Sequence, residues 1–179
     1  QHGAVSSPLG TTERLAVHIP SEADGPEVIE AAVASADLHH PWLVAPTTVE
    51  AWTTFLLRIE EARHHGFLLR TLADGSVVGI VNVSDIIHGS FWSAHLSYYA
   101  FTGHEGQGLM TEGVRWAVDH AFDEIGLHRL EANIQPGNGP SLGLAERCGF
   151  LKEGFSPRYL HIDGAWRDHE RWALTKEDR

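Results

Sequence analysis

The segment "GHEGQGLMTEG" places three glycines, Gly103, Gly106 and Gly108, directly before an apolar helical pattern. Glycine inside a helix costs about 1 kcal/mol relative to alanine. A cluster of glycines at a helix entrance therefore marks a place where bare backbone approaches something closely. The first N–H groups of a helix lack internal partners, and the macrodipole makes that end positive. The chemistry this suits is the binding of an anion, above all a phosphate. A tight turn without a ligand is the alternative that the spacing leaves open. Two nucleotide motifs are excluded. No G-x-x-x-x-G-K-[ST] occurs, and Leu109, Met110 and Thr111 follow Gly106 and Gly108 where a dinucleotide fingerprint needs another glycine.

Other reactive side chains can be sorted by their surroundings. Cys148 is the single cysteine, has no neighbouring base in the sequence, and precedes Gly149-Phe150. It reads as a buried structural thiol rather than an acyl-carrying nucleophile. The chain has 13 histidines. His39-His40 and His64-His65 are adjacent pairs, which do not share a helix or strand face. No Cys/His ligand spacing is present, so no metal site is expected. His95 alternates within an aromatic strand and faces either the core or a binding tunnel. Glu131 and Asn133 share one strand face by the period of two.

These residues need elements to hold them. "RLAVHI" predicts a first strand, Arg14–Ile19, and "PEVIEAAVASA" a short helix with Pro26 in its first turn. Thr47 and Glu50 have capping-box spacing ahead of a helix over 48–65. "HHPWLVAP" reads as a loop. "GFLLRTL" and "SVVGIVNVSDII" predict strands around a turn at Asp74-Gly75, and "SFWSAHLSYYAF" a third. Met110, Val114, Ala117, Val118, Ala121, Phe122 and Ile125 form one helical face. "HRLEANIQ" predicts a strand, "SLGLAERC" a short helix, and the remainder two strands around Asp163-Gly164. The order implies an α+β fold: one mixed sheet with helices on its faces.

With 179 residues and 42% hydrophobic content, the chain suits one domain over 13–179, with a frayed polar tail over 1–12. No apolar run is long enough for a bilayer and no signal peptide is visible, so a cytoplasmic protein without membrane contact is expected. The lone cysteine excludes an intrachain disulfide. The formal net charge of −11 argues against direct nucleic-acid binding. An acidic surface attracts a basic peptide or a polyamine, and is equally the surface of many soluble proteins.

"EGQGLMTEG", "LHRLEANIQPGNGPSLGLAERCGFLKEGF" and "LHIDGAWRDHERWALT" together resemble the GNAT acetyltransferase superfamily, most closely its ribosomal-protein-alanine N-acetyltransferase branch. The similarity extends to "LHHPWL" and "VVGIVNVSDIIHGSF" and so covers nearly everything after the first dozen residues. It implies a three-layer α/β/α fold whose mostly antiparallel sheet splays between two central strands, with acetyl-CoA in the gap. The pyrophosphate would lie on the backbone of Glu105, Gly106, Gln107, Gly108, Leu109 and Met110, with Thr111 at the helix start. The pantetheine would run along Tyr98, Tyr99 and Ala100, and an N–H near Tyr99 would hold the oxyanion. Glu105 departs from the Gln or Arg usual there, and a carboxylate beside a pyrophosphate is unfavourable unless it points away, which bears on the strength of cofactor binding and not on its location.

The same resemblance makes Ser141, in "PGNGPS", the acid that protonates the departing sulfur; a helix N-cap is its other reading. Asn138 would hold the pantetheine or shape the turn. Glu131 would relay a proton from the amine or serve the structure, and Asn133 would join its water network. Trp42 would lie near the acceptor entrance or serve as a hydrophobic anchor between the first two helices, and His95, if its strand face is the tunnel and not the core, would lie near the acceptor too. The implied acceptor is a peptide or protein N-terminus, such as a ribosomal protein starting with alanine. Small amines, antibiotics or polyamines, use the same scaffold, and a non-catalytic acyl-CoA-binding module is a third reading. The protein would act as a monomer or homodimer.

Overall fold

The computed structural model describes residues 7–179. Eight strands form one sheet in the order β1-β2-β3-β4-β5-β6-β8-β7. These are β1 (Gly10–Thr11), β2 (Leu15–His18), β3 (His65–Thr71), β4 (Val77–Ile87), β5 (Ser93–Ala100), β6 (Arg129–Ile134), β7 (Leu151–Ile162) and β8 (Ala165–Thr175). Five helices cover it: α1 (Gly25–Ala34), α2 (Ala36–His39), α3 (Val49–Ile59), α4 (Leu109–Asp123) and α5 (Gly139–Arg147). All neighbouring strands are antiparallel except β5 and β6, the expected α+β sheet.

Alternation along the strands feeds two cores. Leu15, Val17, Phe67, Leu69, Val81 and Val83 meet Val114, Ala117, Val118, Ala121 and Phe122 of α4 on one face. Leu68, Val77 and Ile80 meet Val28 and Ala32 of α1 and Trp52 of α3 on the other. Fully burying side chains such as Phe67 or Phe122 contributes about 1.5–3 kcal/mol each. Gly113 permits the close seating of α4, since a Cβ there would lie 2.2 Å from Leu69 Cδ1.

Several boundaries differ from the sequence-based expectation. Of the tail expected over 1–12, residues 1–6 lie outside the described residues. Gly10 and Thr11, inside that expected tail, pair with Val17 and Ala16 of β2. The third helix is capped by Thr48, not by Thr47: the Thr48 hydroxyl accepts from the Ala51 N–H at 3.2 Å. That helix ends at Ile59 rather than near His65, because His65 joins the sheet opposite Val83. Ile125 packs against the core from beyond the end of α4. Residues 36–39, partly expected as loop, form α2.

Burial pushes His39, His64, His65, His120 and His169 below the ordinary histidine value of 6.5. The unfolded chain protonates these rings near pH 6.5, whereas the folded chain keeps them neutral to lower pH. The unfolded state thus binds more protons, and stability falls as pH drops below 6.5. A ring that stays neutral costs about 1.4 kcal/mol per pH unit in that window. Ion-paired carboxylates such as Asp24 and Glu112 are held below their ordinary values despite partial burial, through bonds from Ser21 and Arg70, and from Thr12 and Arg14. Their stabilisation is lost only at more acid pH. The melting temperature is therefore expected to fall between pH 7 and pH 5, and thermal denaturation across that range checks it.

Candidate active site

β5 and β6 pair only through Ser93–Arg129, Ala94–Leu130 and His95–Glu131, and beyond His95 they part. The right-handed twist of a parallel pair with no further ladder opens a wedge there. On its other edge β5 remains bound to β4. The Phe101 N–H donates to the Val78 carbonyl at 2.8 Å. By alternation Tyr99 also turns its backbone to β4, while Tyr98 and Ala100 turn theirs to the gap. The gap-facing donors are therefore those flanking Tyr99, not its own N–H. The Ala100 carbonyl is already taken by His39 Nε2 at 2.8 Å.

A cleft of about 590 Å³ runs from this gap to the start of α4. The glycine loop forms its far end. Gly106 and Gly108 have φ of 72° and 77°, in the left-handed region, and Gly108 is the N-cap. The Glu112 N–H closes the first helical turn on the Gly108 carbonyl. The N–H groups of Leu109, Met110 and Thr111 thus have no helical acceptor. A Cβ on Gly106 would meet nothing within 4 Å, so the left-handed backbone, not crowding, is what calls for glycine there. The donors, the positive helix end and the open strand edge fit an extended phosphate-bearing ligand. Thr111 and Arg147 line the cleft beside them.

Glu105 is turned back into its own loop. Its carboxylate accepts from Thr102 Oγ1 at 2.9 Å and from the Gly103 N–H at 2.7 Å. Its own backbone N–H first, and these two donors next, hold it below the usual carboxylate range. Gln107 donates from Nε2 to the Gly103 carbonyl, and its own carbonyl accepts from Arg14 Nη1 at 2.9 Å. Arg14 also pairs with Glu112 at 2.8 Å. The guanidinium from β2's edge therefore clamps both the loop and the first turn of α4. No local sequence signal exposes Arg14, which lies 93 residues from Gln107.

A second cavity, of about 270 Å³, opens on the other side of the gap. Trp42, Leu43, Tyr98, Tyr99, Asn138 and Ser141 line both spaces, which meet at these residues. Asn138 is the N-cap of α5, and its Oδ1 accepts from the Ser141 N–H at 3.3 Å. Ser141 is thus the capped residue and not the cap, which leaves its hydroxyl for other work. Its carbonyl accepts from the Tyr98 hydroxyl at 2.8 Å, tying β5 to α5 across the gap. Burial pushes the Tyr98 hydroxyl up to about 12. Trp42 is held by its backbone: Gln135 Nε2 donates to the Pro41 and Trp42 carbonyls at 3.3 and 3.1 Å.

The remaining expected residues divide. Asn133 lines the second cavity, and its Nδ2 lies 3.1 Å from His95 Nδ1. The imidazole thus sits behind Asn133 and is not among the lining residues. Glu131 is also outside the lining, bound to Arg129 Nε at 2.8 Å. Arg129 reaches Glu153 as well, so Glu131 is committed to an ion-pair network between β6 and β7. Cys148 is buried, and burial pushes its thiol up to about 11. Its Sγ donates to the Thr111 carbonyl at 3.8 Å. That environment keeps the thiol protonated, in keeping with a structural role. Among the described residues no group of three or more His, Cys, Asp or Glu could hold a metal. No helix among them is long and apolar enough to cross a membrane. Missed by the sequence reading, besides Arg14, is His169, which lines the second cavity from β8. Its signal, alternation within "WRDHERW", was too weak to separate it from the other histidines.

Comparison with known proteins gives a consistent picture. Residues 14–151 match the family model described as an acetyltransferase (GNAT) domain. The chain is 33% identical over 178 residues to the "[Ribosomal protein uS5]-alanine N-acetyltransferase" of Escherichia coli, covering 94% of this chain and 91% of the other. It is 37% identical over 126 residues to the "Probable N-acetyltransferase YjcK" of Bacillus subtilis, covering 70% of each. Its structure superposes on that of Mycobacterium smegmatis RimJ in complex with CoA-disulfide with a TM-score of 0.83. That match has 28% identity and covers 91% of this chain and 82% of the other.

Proposed function

The chain belongs to the GNAT family of N-acetyltransferases, and from that premise we propose that it acetylates the N-terminal amine of a protein, of the ribosomal-protein-alanine type. The observation that carries this reading is the composition of the second cavity. It meets the cleft at Ser141, is small, and has no carboxylate among its described lining residues. A polyamine keeps further positive charges that need anionic partners once desolvated. A protein α-amine next to a small side chain needs none. An α-amine also has a pKa of about 7.7–8.0, against about 10.4 for lysine, so it demands less of a base. The E. coli relative acts, by its name, on a ribosomal-protein alanine.

In this reading acetyl-CoA lies in the cleft and supplies the activated acetyl group. The N–H groups at the start of α4 hold its phosphates. Tyr98 and Ala100 offer the open edge of β5 to its pantetheine, and their N–H groups are the donors available to an oxyanion. Ser141 Oγ–H donates to the sulfur as the C–S bond breaks. The unspent Ser141 hydroxyl favours turnover over a module that merely holds an acyl-CoA.

Peptides beginning with alanine are expected to be better acceptors than free lysine or spermidine near neutral pH. CoA release measured side by side checks this. Clear preference for spermidine would move the assignment to small amines.

A further inference from the structure

Transfer from an ammonium needs a proton acceptor, and the acceptor cavity restricts the choice. Its described lining residues include no carboxylate, lysine or cysteine. Its two tyrosines do not titrate near neutral pH: burial pushes Tyr98 up to about 12 and Tyr99 higher still. Glu131 is spent on Arg129 outside the cavity. His169 remains. It is 1% exposed and projects into the cavity lining from β8, opposite Ser156 of β7.

The ring's tautomer follows from its one backbone contact. Nδ1 lies 2.9 Å from the Arg167 carbonyl oxygen. A carbonyl can only accept, so Nδ1 carries the proton and Nε2 carries the lone pair. The charged and titratable groups around the ring are few. Tyr159 of β7 meets it edge-on, with ring centroids 6.2 Å apart. Arg167 and Asp168 are its neighbours on β8, β6 contributes the neutral Asn133 to the cavity, and the neutral Gln135 follows just beyond that strand. Burial lowers the imidazole's pKa, against the opposing Arg167 carbonyl and Asp168, so the ring is neutral at pH 7.

We infer that His169 is the general base of the reaction: Nε2 takes a proton from the acceptor ammonium, directly or through one water. The inference rests on the acetyl-transfer reading above. The freed amine forms the N–C bond to the thioester carbonyl carbon as the C–S bond breaks. Ser141 gives its proton to the sulfur and is reprotonated by the second proton lost from nitrogen. The first proton passes from His169 to solvent. An ammonium and a thioester thereby give an amide, a thiol and one proton.

The wild-type protein supplies the first test. With saturating acetyl-CoA and an alanine-initiated peptide, kcat is expected to stay nearly level from pH 8 to pH 6.5 and to fall only below that. A tenfold fall per pH unit from pH 8 downwards, following the peptide's own amine, would overturn the inference. In His169→Gln, kcat at pH 7 is expected to drop about 10²-fold or more. The loss should shrink as pH rises through about 7.7–8.0, where the free amine forms unaided. The acetyl-CoA Kd should not change. A variant with a lowered melting temperature, kcat within about twofold of wild type and an unaltered pH profile would show a structural histidine and overturn the inference; that loss lies below the range of acid–base catalysis. No CoA release from the wild type with any acceptor would overturn the acetyl-transfer reading itself, and this one with it.

Discussion

Replacing Ser141 with alanine is expected to lower kcat by about 10²–10⁴-fold while leaving acetyl-CoA affinity nearly unchanged. In the proposed mechanism the hydroxyl is needed only as the C–S bond breaks and the sulfur gains charge. An interaction made only in the transition state appears in the rate and not in ground-state binding. The lower end of the range is the more natural outcome, because a thiol with a pKa of about 8.5 is a tolerable leaving group even unassisted. Structure sharpens the test. Asn138, not Ser141, caps α5, so removing the serine hydroxyl removes no cap. The melting temperature of Ser141→Ala should therefore stay close to wild type, whereas loss of a cap costs about 1 kcal/mol. Kinetics and melting on the same protein decide it. Turnover within about twofold of wild type would remove Ser141 from the mechanism, since that is far below the general-acid range.

Gly108→Val is expected to weaken acetyl-CoA binding by about ten- to a hundredfold. Gly108 is the N-cap of α4 with φ of 77°. A β-branched residue in that conformation costs about 1–3 kcal/mol. A tenfold change in affinity corresponds to about 1.4 kcal/mol. The loop will shift to escape the strain, and the N–H groups of Leu109, Met110 and Thr111 will no longer converge. Thermal shift gives a direct readout. A ligand at one hundred times its Kd raises the stability of the wild type by about 2.7 kcal/mol, and most of that shift should vanish in the variant. Retention of the full shift would mean that the phosphates do not sit on this helix start. Calorimetric titration would give the two affinities directly.

Both predictions concern residues that stand out in the chain itself, and the reason is physical. The glycine loop and the helix behind it are local: positive φ and unpaired N–H groups at one point of the sequence. Asn138 and Ser141 are three residues apart at one helix start. Strand alternation and helical spacing, read over short windows, also revealed the mixed sheet and which faces are buried. The family resemblance in "EGQGLMTEG" and "PGNGPS" pointed to the same gap that the structure displays between β5 and β6.

What only the tertiary structure decided involves groups brought together from distant parts of the chain. Whether Ser141 caps its helix depends on the φ and ψ of Asn138, which residue types alone do not specify. Glu131 is removed from the cavity by Arg129, and Arg129 is shared with Glu153 on another strand. Arg14 reaches the glycine loop only because β2 lies beside α4. His169 is one histidine of 13 until the β7–β8 hairpin buries it against the second cavity and the Arg167 carbonyl takes its Nδ1. Local backbone chemistry is set by neighbours in sequence. Protonation, ion pairing and access to a cavity are set by neighbours in space, and folding alone supplies those.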